Sequence, residues 1–266
     1  MAGLFDREDT LELVRMVEDM PSLPDRFFRI RQIIESEESG SGELAKIIGT
    51  DQGTASMVLK VANSVYYSPT GKPVGQLTRA IARLGYKETA NIAMTMSLFY
   101  GFALPAGIQN VRTFWAHAYA VAVLSRKMAI ALQLDGEEIF VAGLLHDTGK
   151  AILGLRVDLS YFEGAMDVLQ GVPLLKAEQE YFGLDHAEAG AEILGLWHFP
   201  ASIQKAIEKH HQPDTGFLPA RIISLADREA HKYLPDVSDI DRVEAILKER
   251  FPGGVVALLQ SEGMLD

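Results

Sequence analysis

Cysteine is absent from all 266 residues. That removes disulfides, thiolate nucleophiles and zinc-finger chemistry, and it leaves histidine and carboxylates as the side chains able to hold a metal. Positive charge is also in short supply: 25 Lys and Arg stand against 36 Asp and Glu, for a formal net charge of −11. A field of that sign repels the phosphate backbone that gives nucleic-acid binders most of their affinity, so direct binding to DNA or RNA is not expected. No run approaches the ~20 apolar residues of a membrane span. The opening Met-Ala-Gly-Leu-Phe-Asp-Arg-Glu carries charge where a signal peptide would be apolar, so a cytoplasmic address and no membrane contact are expected.

What is present is apolar mass, 48% of residues, arranged mostly at helical spacing. The pattern predicts helices over Thr10 to Met20, Asp25 to Ile34, Glu43 to Ile48, and from Thr50-Asp51 through Val61. A turn is expected at Ser22-Leu23-Pro24, and an exposed loop from Tyr66 to Pro73. Leu77 to Phe102 reads as two buried helices meeting at Gly85, and Pro105 and Gly107 mark a lobe boundary. Beyond it, helical patterns cover Val111 to Leu134, Glu137 to His146, Tyr161 to Gln170, Pro173 to Phe182, Ala187 to Trp197, Ser202 to His210, Leu218 to Tyr233 and Ile240 to Glu249. No segment reads as a strand. The expected architecture is all-α, with an N-terminal helical lobe (1–106) packed on a second helical lobe (107–266).

Five of the seven histidines fall at marked places in the second half: His117 in a nearly uncharged helix, His146-Asp147 near a helix end, Asp185-His186 at a helix start, and His210-His211 at another end. Asp227 lies among apolar neighbours in Ile222-Ile223-Ser224-Leu225-Ala226-Asp227-Arg228. Each has a bland reading. His146-Asp147 can be a satisfied histidine and a cap, with Gly149 ending the helix; His117 can be a core histidine bonded to a carbonyl. Asp227 can pair with Arg228 or another basic residue, and His210-His211 can be cations at a helix C-terminus. The alternative is a common metal centre in which Asp147 bridges ions through its two oxygens. His198 and His231 lack such context and are expected to be structural or surface residues.

The order His117, His146-Asp147, His186, His210-His211, Asp227 resembles the ligand order of the HD superfamily of metal-dependent phosphohydrolases. The frames Gly143-Leu144-Leu145-His146-Asp147-Thr148-Gly149-Lys150, Asp185-His186-Ala187-Glu188 and His210-His211-Gln212-Pro213 carry it. Leu44-Ala45-Lys46-Ile47-Ile48, Val58-Leu59-Lys60-Val61-Ala62-Asn63-Ser64 and Ala80-Ile81-Ala82-Arg83-Leu84-Gly85 are similar to its HDOD branch. The HDOD resemblance implies a helical fold and a bacterial signal-transduction role exercised by interaction rather than hydrolysis. The ligand set is instead similar to cyclic-di-GMP-hydrolysing HD-GYP relatives. That likeness implies one or two divalent ions, Fe or Mn with Ni or Zn as alternatives, held by His117, His146, Asp147, His186, His210, His211 and Asp227. Asp147 would bridge metals, and Lys150 would contact a phosphate oxygen. Thr113 stands where those relatives place a glutamate ligand, and no Gly-Tyr-Pro loop follows His211. Two functions follow as expectations: a signalling module whose partners are proteins or a phosphorylated small molecule, or a phosphohydrolase acting on a nucleotide or cyclic dinucleotide. Nothing in the sequence speaks to oligomeric state.

Overall fold

The computed structural model describes residues 5–16, 25–36, 39–68, 71–101, 111–158, 160–163, 172–212, 216–233, 240–251 and 254–265. The turn expected at 22–24, the lobe boundary at 105–107 and all but the first three residues of the helix expected over 161–170 lie outside these residues. Every regular element among the described residues is helical.

In the first half, α1 (Arg7–Arg15), α2 (Asp25–Glu35), α3 (Ser41–Gly49), α4 (Gln52–Ala62), α5 (Leu77–Leu84) and α6 (Tyr86–Gly101) follow in order. Helix α1 starts three residues before the expected Thr10 because Asp6 caps it, accepting from the backbone N–H of Glu8 and Asp9. Helices α5 and α6 are separated by one residue. Gly85 takes φ +89°, a left-handed conformation that lets the chain reverse without a side-chain penalty.

The second half runs α7 (Val111–Ala131), α8 (Gly136–Leu145), α9 (Thr148–Ile152), a π-helical turn (Leu153–Val157), α10 (Ser160–Glu163), α11 (Val172–Phe182), α12 (His186–Leu196), α13 (Ala201–Glu208), α14 (Leu218–Tyr233), α15 (Ile240–Arg250) and α16 (Gly254–Ser261). The π-helical turn and α16 have no counterpart in the sequence reading. The run Val255-Val256-Ala257-Leu258-Leu259 is apolar throughout, without the polar positions that would have revealed a helical period.

Helix α8 is buried on all sides from Ile139 to Leu145 and packs in the angle between α7 and α13. Its burial explains its composition, since a helix enclosed all round needs no polar face. One hydrophobic core runs through both halves, from Val14, Phe27 and Ile48 to Ile222, Val243 and Leu259. Polar contacts tie α6 to α7. Arg126 donates to Glu88 at 2.6 Å, and the Tyr119 hydroxyl donates to the same carboxylate. Helix α1, although first in sequence, packs on α12 and the π-helical turn: Arg7 and Arg15 pair with Glu188 and Glu192, and the Thr10 hydroxyl donates to the Phe182 carbonyl.

Asp51 caps α4, accepting from the Thr54 backbone N–H at 2.8 Å and from its hydroxyl, with Arg26 3.1 Å away. Burial works against its charge, but these hydrogen bonds and Arg26 hold the carboxyl below its ordinary value. A depressed folded pKa contributes stability that is present above the unfolded value, about 4, and is lost as pH falls through the folded one. Asp51→Ala is therefore expected to cost about 1 kcal/mol at pH 7 in denaturant titration. The difference from the wild type should shrink below about pH 4.

Candidate metal centre

The histidines singled out above come from four separate elements and converge. His117 sits in α7, His146 caps the C-terminal end of α8, and Asp147 follows it at the start of α9. His186 opens α12, His210 and His211 follow α13, and Asp227 lies in α14. Asp185, the neighbour of His186, faces away from this chemistry. It is the N-cap of α12, in a reciprocal capping box with Glu188, and so fixes where His186 begins the helix.

A hydrogen bond on the far side sets the orientation of three of the rings. His146 Nδ1 donates to the Gly143 carbonyl at 2.8 Å, and His210 Nδ1 donates to the Ile207 carbonyl at 2.6 Å. His186 Nδ1 lies 2.7 Å from Glu178 Oε2 and 3.0 Å from Oε1. A neutral imidazole that commits its proton at Nδ1 presents a lone pair at Nε2. In all three cases Nε2 is thereby turned inward. His146 Nε2, His210 Nε2 and Asp147 Oδ1 are buried and make no hydrogen bond within the protein. Buried polar atoms without a partner are rare, and here three of them occur within one cluster of histidines and carboxylates.

The donor atoms form three groups whose members lie within 4.8 Å of one another: His186, His210 and His211; His117, His146 and Asp147; and His117, Asp227 and His231. Asp147 joins them, with Oδ1 3.3 Å from His186 Nε2 and Oδ2 3.3 Å from His146 Nε2. His186 Nε2 and His211 Nε2 are 2.9 Å apart, and His117 Nε2 is 2.9 Å from Asp227 Oδ1. Ligands bonded to one ion at about 2.1 Å stand roughly 3.0–3.4 Å apart, so these separations suit the edges of a coordination shell.

The electrostatics agree. Burial would raise the Asp147 carboxyl, but His146 and Lys150 hold it well below its usual range; the Lys150 ammonium donates to Oδ2 at 2.7 Å. Asp227 is likewise held low against burial by the rings of His117, His146 and His231. Burial, then the neighbouring rings, drives His210 well down and His211 to about 3. His146 is buried too, yet Asp147 and Asp227 push it up to about 10, which shows how strongly that position favours positive charge. The carboxylates are ionised and His117, His210 and His211 are held neutral, whereas His146 and His186 are raised and would release a proton to a divalent ion, so the residues present fit an ion of the N/O-binding kind.

All seven expected ligands thus lie together, with Lys150 beside Asp147. Two participants were not anticipated. His231, expected to be structural or surface, has Nδ1 3.0 Å from Asp227 Oδ1; its position four residues after Asp227 on one helix was the available signal. Glu178, 1% exposed, had no signal, because it lies in the charged-looking run Lys176-Ala177-Glu178-Gln179-Glu180. Two bland readings also fail. Arg228 pairs with Glu229 and Glu262 instead of Asp227. Gly149, expected to end a helix, lies inside α9, where a Cβ would fall 1.8 Å from the His186 carbonyl oxygen.

The sequence profile of the HDOD domain matches residues 20–213. The chain belongs to the HDOD domain family. Asp227 and His231 of this HDOD chain lie C-terminal to the matched segment. Among solved structures, an HDOD domain protein of unknown function from Geobacter sulfurreducens is 23% identical and aligns over 96% of this chain and 95% of its own, with a TM-score of 0.71. A provisionally assigned phosphohydrolase from Shewanella amazonensis SB2B is 22% identical over 88% of this chain and 86% of its own, with a TM-score of 0.65. Both establish the fold. Ribonuclease Y of Mycoplasmoides gallisepticum is 29% identical over 210 residues, 70% of this chain but 33% of the relative, so the HDOD chain matches about a third of that protein's length.

The close approach of α9 to α12 sets the spacing between Asp147 and His186. Gly149→Ala is expected to force these helices apart, lowering stability by about 3 kcal/mol and abolishing metal retention. Gly195→Ala, where the added methyl meets only the flexible Gln204 side chain at 3.3 Å, should leave both unchanged; thermal unfolding and metal content of the two variants check this.

Proposed function

We propose that this HDOD chain is a signal-transduction module built around a divalent-metal centre of the HD type, acting through a protein or ligand partner. The observation that carries the reading is the set of three buried imidazoles, each anchored at Nδ1: the Nε2 atoms of His146 and His186 approach Asp147, and His210 groups with His186 and His211. His186, His210 and His211 with Asp147 would hold an inner ion, and His117, His146, Asp147 and Asp227 an outer one. The donor set suits Fe or Mn, with Ni or Zn as alternatives. His210 is 0% exposed and His186 1%, with His211 half-buried at the edge, so the inner group is largely enclosed, and its ligands tie α9, α12 and the end of α13 together.

A second reading, a metal-dependent phosphohydrolase acting on a nucleotide or cyclic dinucleotide, is favoured by one specific pairing. The Lys150 ammonium lies against Asp147, which would be shared by both ions, and from there would meet a phosphate oxygen. A divalent ion bound there would supply Lewis acidity toward the phosphoryl group. Lys150 would orient and neutralise the anion, while Glu178 and the Gly143 and Ile207 carbonyls would keep the imidazoles fixed. The similarity to ribonuclease Y points the same way.

Elemental analysis of protein made without a histidine tag, beside the His146→Ala/Asp147→Ala double variant, tests the proposal. Near-stoichiometric Fe, Mn, Ni or Zn in the wild type and none in the variant is the expected result. Wild type that stays metal-free after reconstitution overturns it. Phosphodiester turnover by the loaded wild type, absent in the variant, would decide for the second reading.

A further inference from the structure

The side chain of His231 is 35% accessible, against 14% for His117 and 15% for Asp227, whereas in the inner group His186 and His210 are buried and His211 half-buried. It lies one helical turn beyond Asp227 on α14, and residues four apart project from the same helix face, the arrangement by which helical i, i+4 pairs chelate metals. His117 Nε2 and His231 Nδ1 approach the same atom, Asp227 Oδ1, at 2.9 and 3.0 Å, and the two rings stand 4.2 Å apart; His231 Nδ1 also donates to the Asp227 carbonyl at 3.1 Å, which leaves Nε2 as the lone pair this ring offers. His231, His117 and Asp227 therefore come from two helices, α7 and α14, and place three donor atoms within 4.8 Å of one another at the solvent-facing edge of the centre.

We infer that His231 is a ligand of the outer ion, completing with His117 and Asp227 a solvent-facing, exchangeable position beside the closed inner one. This rests on the metal-centre reading above. Partial exposure at His231 makes the outer ion the one that enters and leaves, and the one with a coordination site within reach of an external anion. The inner ion, between the buried rings of His186 and His210 and the half-buried ring of His211, is the more tightly held.

Calorimetric titration of metal-depleted full-length protein with Mn2+ tests the assignment. The wild type is expected to take up two equivalents in two affinity classes. His231→Ala should keep the tighter class unchanged and lose the weaker one, or weaken it by at least about tenfold. His231→Gln retains an N–H that can donate to Asp227 but has no ring nitrogen, and it should behave as His231→Ala does. His198→Ala, at an exposed histidine outside the cluster, should titrate as the wild type. Two equivalents with unchanged affinities in His231→Ala, or recovery of the weaker class in His231→Gln, overturns the ligand role while leaving the centre intact. Uptake of a single equivalent by the wild type, identical in His231→Ala, also overturns it. No uptake by the wild type refutes the metal-centre reading itself.

Discussion

The centre depends on where each buried imidazole places its one proton. An imidazole out of water must satisfy both nitrogens. In this protein the outer nitrogen of His146 and of His210 is bonded to a carbonyl at the end of its own helix, and that of His186 to Glu178. The inner nitrogens are left without a backbone or carboxylate anchor of that kind: those of His146 and His186 approach Asp147, and that of His210 lies with His186 and His211. Such an arrangement would be costly in an apolar core without a cation, and it suits one carrying two charges. The helix ends, caps and glycines of the second half follow from the need to bring those rings together.

The packing serves this. Helix α8 is enclosed, so its end is fixed by the core, and His146 and Asp147 inherit that fixity. Gly149 lets α9 approach the first turn of α12 at a distance no side chain would permit, and the capping box at Asp185 fixes where that first turn begins. The first half reaches the centre through the Glu88, Arg126 and Tyr119 network on α7, the helix that carries His117. A signal transmitted between the halves has in α7 a rigid element that touches both.

Much of this was legible in the sequence. The helical periods of the second half located most of its helices to within a few residues, because their apolar stripes face a core. That the seven candidate residues gather in one place was legible because His and Asp in apolar surroundings demand partners, and their order resembled a known series. Helix α16 and the π-helical turn were not, since a uniformly apolar run carries no phase. Gly149 was misread because glycine at a close helix contact and glycine at a helix end look alike in one dimension. Glu178 shows the deeper limit: its burial comes from the way α11 folds against His186 and Tyr161, and no neighbour in sequence announces it. His231 could have been found by counting four residues on from Asp227, had the helix been treated as a ligand-bearing face.

Anomalous diffraction from crystals of the Mn2+-loaded protein tests the central claim most directly. The account predicts a peak bonded to the Nε2 atoms of His186 and His210 and to an oxygen of Asp147, at about 2.1–2.2 Å. Density showing these rings bridged to one another by hydrogen bonds or water, with no anomalous scatterer among them, would contradict it.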